Sequence, residues 1–149
     1  MNSNKITQDD KEILDKKRYL SRYRNNMFCI KRLESKLEIA KSKANSVRGS
    51  SFGERVSGGV RVPQDELYVE VIDLEHRIKS LKDKARNLKV KITEAIDTLD
   101  DVKVVEVMEM YYIDCQSFYD ISNELNYSIR SIERLFVRGL KNIVVDTMS

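Results

Sequence analysis

The sequence predicts an all-α protein in which a long N-terminal helical hairpin of coiled-coil character, residues 1–99, precedes a small helix-turn-helix domain, residues 100–149. Three observations carry this expectation. Charged residues make up 34% of the chain against 41% hydrophobic, the balance of long exposed helices rather than of a thick core. One Pro and five Gly leave few places for turns. Apolar residues also recur at heptad spacing through most of the first hundred positions.

The elements follow in order. Thr7 can cap a helix and is followed three residues later by Asp10, a short form of the capping box. Behind it Ile6, Ile13, Leu20 and Met27 recur every seven residues, and Tyr23, Ile30, Leu37 and Ala44 supply the second seam position. Glu34 breaks the first register where Leu33 stands beside it. This predicts a helix over about 7–45. Residues 45–62 hold four of the five Gly and lead to the sole Pro, Pro63, so they read as a flexible linker. From Pro63, tolerated in a first helical turn, the seam is more regular. Leu67, Val71, Leu74, Ile78, Leu81, Ala85, Leu88, Ile92, Ala95 and Leu99 alternate spacings of four and three without a miss. The two helices can fold back as an antiparallel hairpin or pair between chains as a homodimer; sequence leaves both open.

The C-terminal third changes character. A short helix over Val102–Tyr112, with Val105, Met108 and Tyr112 on one side, leads through "IDCQ" to Ser117, an N-cap for "FYDISNEL". Asn126 tolerates the left-handed conformation that ends a helix, and Ser128 can cap the next. The chain is told to stop and restart within three residues, which sets two short helices at a steep angle.

Several functions are disfavoured. No apolar run approaches the roughly 20 residues needed to span a bilayer, and the N-terminus lacks a signal peptide's apolar segment, so the expected location is cytoplasmic. Cys29 and Cys115 fit neither a metal motif nor a disulfide framework and read as reduced structural thiols. His76, on a face flanking the second seam, has no His or Cys nearby to share a metal or a proton. No phosphate loop, catalytic triad or paired carboxylates appear. The expectation is a non-enzyme without metal or cofactor.

Charge is distributed unevenly. Residues 1–50 hold 13 Lys/Arg against 6 Asp/Glu, and residues 101–149 hold 5 against 8. Within that acidic C-terminal part, residues 128–141 carry four basic groups and one acid, a local surplus suited to a polyanion.

The stretch "YIDCQSFYDISNELNYSIRSIERLFVRGLKNI" resembles region 4 of bacterial sigma factors. Apolar Ile121, Leu125, Tyr127, Ile132 and Leu135 fall at core positions, with Ser122 at the small contact position and Asn126 at the usual turn glycine. The layout of the whole chain is similar to phage late transcriptional regulators of the ArpU and RinA kind. That resemblance implies a regulator, an activator of phage late genes, that binds double-stranded promoter DNA and contacts host RNA polymerase. Helix-turn-helix docking places the start of the second helix against base edges and later basic residues against phosphates. The DNA-binding set is therefore Ser128, Ile129, Arg130, Ser131, Glu133 and Arg134, with Arg138 and Lys141 as phosphate contacts. The alternative is a DNA-packaging adaptor like a phage small terminase subunit, which also joins a helix-turn-helix to oligomerising helices.

Overall fold

The computed structural model describes residues 6–49 and 64–146. Among the described residues there are five helices and no strand: α1 (Gln8–Gly49), α2 (Gln64–Ile96), α3 (Val102–Tyr112), α4 (Phe118–Leu125) and α5 (Ile129–Asn142). The protein is all-α, as its sequence predicts. Of the linker expected over 45–62, residues 45–49 continue α1, and the remainder lies outside the described residues. Thr7 and Asp10 do form the reciprocal cap: the Asp10 amide donates to Thr7 Oγ1 at 3.2 Å and the Thr7 amide to Asp10 Oδ2 at 3.1 Å.

The chain divides into two compact units, Phe28–Lys84 and Met1–Met27 with Ala85–Ser149. In the first, Ile30, Leu33, Ala40 and Ala44 of α1 and Leu67, Leu74 and Ile78 of α2 are buried. Lys82 pairs with Glu34 at 2.9 Å and Lys41 with Glu75 at 3.4 Å, so the helices run antiparallel here and the seam closes within one chain. These ion pairs are half exposed and contribute at most about 1 kcal/mol each. Apolar burial, about 25 cal/mol per Å², stabilises the unit instead. Glu34, out of register with the heptad, serves the flank of the seam through its carboxylate.

The second unit contains more than residues 100–149. Its core joins Tyr19, Leu20 and Tyr23 of α1 and Leu88, Ile92 and Ile96 of α2 to Val104, Val107, Met108 and Tyr112 of α3, Ile121 of α4 and Ile132, Phe136 and Leu140 of α5, all buried. The compact unit therefore does not begin at residue 100. Three short helices, α3 to α5, bury too little apolar surface alone, and residues of α1 up to 27 and of α2 from 85 supply the rest.

Two cations of α1 show how that segment is used. The last carbonyls of a helix lack intrahelical donors and carry the negative end of its dipole. Arg24 Nε donates to the carbonyl of Tyr111 near the end of α3 at 3.1 Å, Nη2 donates to that of Gln116 at 3.4 Å, and the guanidinium carbon lies 4.1 Å from the Tyr111 ring centroid. Lys16, only 8% exposed, donates to the carbonyl of Lys141 at the end of α5 at 3.3 Å. Four rings, Tyr111, Tyr112, Phe118 and Phe136, pack at centroid separations of 4.9–5.5 Å. Burial pushes the Tyr112 phenol well above its usual range, and Ser21 of α1 offsets part of that rise. Ile6, placed in the heptad by its spacing, is 57% exposed and lies outside this core.

Candidate nucleic-acid interface

The predicted stop and restart is present. Ser117 Oγ accepts the Asp120 amide at 3.1 Å and so caps α4. Asn126 ends α4 at φ 56°, ψ 37°, the left-handed region that Asn enters at lower cost than most residues. Ser128 then caps α5, its Oγ accepting the Ser131 amide at 3.1 Å. Ser122 holds the turn from inside: its carbonyl accepts the Tyr127 amide at 3.2 Å and its hydroxyl donates to the Tyr127 carbonyl. A serine at the small contact position thus does work that alanine has no hydroxyl for. A second left-handed residue, Cys115 at φ 59°, lies in the "IDCQ" connection, where the sequence carries no Gly or Asn to announce it.

α5 is sharply two-sided. Ile132, Phe136, Gly139 and Leu140 are buried, a 3.6-residue stripe packed on α3 and α4. Gly139 is where α3 crosses most closely: a Cβ there would lie 2.9 Å from Met108 Sδ and 3.0 Å from Val104 Cγ1. The opposite strip, Arg130, Glu133, Arg134, Val137, Arg138 and Lys141, is exposed and lines one open groove. Burying the apolar stripe forces the cations outward together, because i, i+4, i+8 and i+11 share a face.

The residues predicted to touch DNA fall into three groups. Arg130, Glu133, Arg134, Arg138 and Lys141 are brought together on the strip. Ile129 is 44% exposed at the start of the helix, beside them in sequence. Ser128 and Ser131 are engaged with each other, their Oγ atoms 2.9 Å apart, so their first task is to build the helix start. Val137, 45% exposed within the strip, has no counterpart in that predicted set; its place four residues before Lys141 and three after Arg134 is the signal that finds it. Asp101 is a second addition. Its Oδ1 accepts the Lys103 amide at 3.0 Å as the N-cap of α3, and its Oδ2 faces Arg138 Nη1 at 3.4 Å. Lys103 lies 5.8 Å from the Tyr127 ring centroid, a cation beside the turn. The exposed face of α4 offers Asp120, Asn123 and Glu124, so the cationic strip of this region belongs to α5.

Other chemistries find no assembled site among the described residues. No group of three His, Cys, Asp or Glu side chains is placed to hold a metal ion. Cys29 and Cys115 are free, and His76 is exposed. No helix is long and apolar enough to cross a membrane.

Residues 45–141, which are 97 of the 149 in the chain, match the family DUF1492, described as a protein of unknown function. The chain belongs to that family. The match takes in α2, α3, α4 and all of α5 except its final residue, so the turn and the whole cationic strip lie within it. No curated protein and no solved structure matches the chain.

Proposed function

We propose that this DUF1492 chain is a sequence-specific double-stranded DNA-binding protein that regulates transcription, by its sigma region 4-like resemblance an activator of phage late genes, working in the cytoplasm and without catalysis of its own. The observation that carries the proposal is the strip of α5. Four cations and an exposed valine occupy one face of a helix whose other face is anchored on α3 and α4, and a left-handed Asn126 sets its entry angle.

A major groove about 12 Å wide admits a helix presented this way. Arg130 and Arg134, in the first turns, are suited to the paired acceptors of guanine, Glu133 to the cytosine amino group, and Ile129 and Val137 to a thymine methyl. Arg138 and Lys141 lie one to two turns further on, where basic residues meet phosphates.

The test is selection of duplexes from a random library by the full chain, followed by binding titrations at two salt concentrations on a selected and a scrambled duplex. Arg130→Ala and Arg134→Ala are expected to lose preference at particular base pairs, about 1–3 kcal/mol for each good contact. Arg138→Ala and Lys141→Ala should weaken binding to both duplexes alike and lower the salt slope by about one unit each. Alanine at both Asn126 and Ser128 should favour a continuous helix and reduce binding with every cation still present. If no duplex is enriched, or the two early arginine variants and the turn variant bind like the parent, α5 does not read DNA. Ring assembly of the chain in solution would support the packaging adaptor instead.

A further inference from the structure

The cations of the α5 strip are not equally engaged. Arg130 and Arg134 make no ion pair with any described residue, whereas Arg138 Nη1 lies 3.4 Å from Asp101 Oδ2. Lys141 borders a cleft that also contains Glu12 and Asp15 of α1. Glu133 lies on the strip between the two early cations but is ion-paired with neither, whereas Arg138, a late cation placed for phosphate, already holds a carboxylate from another helix start.

Asp101 is held in place more firmly than an ordinary surface acid. Capping α3 with Oδ1 leaves the planar carboxylate little freedom, so Oδ2 is presented to Arg138 from a fixed position. The pair itself adds little to stability, since Arg138 and Asp101 are 61% and 45% exposed. Nor does the cap require a charge, because Asn caps a helix as well as Asp does. The negative charge at position 101 is thus dispensable for the fold, and its main consequence falls on Arg138.

We infer that Asp101 acts as an intramolecular substitute for a DNA phosphate at Arg138, a brake on sequence-independent affinity; the inference rests on α5 being the DNA-reading helix. When DNA docks, Arg138 exchanges the carboxylate for a phosphate, so the pair with Asp101 must be given up before the phosphate contact is made. The exchange acts through the DNA backbone, which carries no sequence information. The brake therefore weakens binding to every duplex by a similar factor and leaves discrimination between sequences unchanged. Asp101 is in this sense a positioning residue, acting on DNA through Arg138.

The experiment uses the full chain as parent, Asp101→Asn, Arg138→Ala and the double variant, titrated on a selected and a scrambled duplex at two salt concentrations. Asp101→Asn keeps the cap, so its melting temperature should match the parent. It should tighten binding to both duplexes about three- to tenfold near 0.1 M salt and steepen the salt slope by nearly one unit, the signature of one more effective phosphate contact. In the Arg138→Ala background the same change should alter binding less than about twofold, a coupling that a purely structural role for Asp101 does not produce. Equal tightening with and without Arg138 would overturn the inference, since the charge would then act on DNA directly. Unchanged binding, or tightening on one duplex only, would also overturn it. A parent that binds no duplex sinks the DNA-reading proposal and this inference together, whereas a parent that binds and shows no coupling sinks this inference alone.

Discussion

Replacing Arg24 by Ala tests whether α1 is part of the unit that presents α5. The guanidinium donates to the Tyr111 carbonyl at 3.1 Å and to that of Gln116 at 3.4 Å, and it stacks over the Tyr111 ring at 4.1 Å. A hydrogen bond to a charged donor is worth about 1.5–3 kcal/mol and a cation–π contact about 0.5–2 kcal/mol. The terms share one side chain and do not add fully, and Arg24 is half-buried, so the expected loss is about 2–4 kcal/mol. Lysine keeps the charge but lacks the planar fork that reaches two carbonyls while stacking, and should recover only part of this. The assay is urea unfolding followed by helical circular dichroism. With a slope of about 2 kcal/mol per molar, the midpoint should fall by about 1–2 M at unchanged slope. A shift below about 0.5 kcal/mol, the range of ordinary surface substitutions, would refute the reasoning. It would mean that the carbonyls at the end of α3 are satisfied without α1.

Two further outcomes follow from local geometry. Gly139→Ala gains about 1 kcal/mol of helix propensity but drives a methyl to within 2.9–3.0 Å of Met108 and Val104, both fully buried; overpacking costs about 1–3 kcal/mol. Thermal melts should therefore show a small net loss for Ala and a larger one for Val, and a Met108→Ala partner should be less than additive with either. At the start of α1, hydrogen bonds from Thr7 hold the Asp10 carboxyl below its ordinary 3.8. A depressed folded value means that the stabilisation is complete above the unfolded pKa and is lost as pH falls through the folded one. The Lys11 amide donates to the Thr7 carbonyl at 3.1 Å, so its protection against exchange, taken relative to the intrinsic rate at each pH, should fall below about pH 4, and Asp10→Asn should abolish that pH step.

What the sequence makes legible is what is encoded locally or repeatedly. The seam of α2 was readable because one message is repeated at ten positions, all buried or half-buried, of which nine lie in the helix and Leu99 falls just past its end at Ile96. The turn was readable because Ser117, Asn126 and Ser128 act on backbone groups within a few residues of themselves. The boundary of the unit that contains α5 was not, because it depends on partners distant in sequence. Lys16 in a helix rich in Lys and Arg looks like a solvated residue, and nothing near it announces that it meets the carbonyl of Lys141. The core of α5 was half legible for a similar reason. Ile132 follows from the helix-turn-helix pattern and is fully buried, but Leu135 is only half-buried, while Phe136 turns inward to rings contributed by α3 and α4. On the outer face, the charges of Arg130, Arg134, Arg138 and Lys141 could be counted from the sequence, yet the difference between free and engaged cations appears only when Asp101, 37 residues from Arg138, is set against it.

The bond from Lys16 to Lys141 spans 125 residues, and those from Arg24 span 87 and 92, which has a consequence for how the protein is made. During translation α1 emerges long before its partners exist, and contacts so distant in sequence are slow to form because the intervening chain must first be closed. The shorter closures between Glu34 and Lys82 and between Lys41 and Glu75 reduce the free loop that remains. This order of closure predicts folding that starts in the seam of α1 and α2 and reaches the end of α5 late. A lesion in the seam such as Leu81→Pro is then expected to slow the completion of α5 without altering a residue of it, which would make the rate at which newly made chains mature depend on residues with no place in the strip.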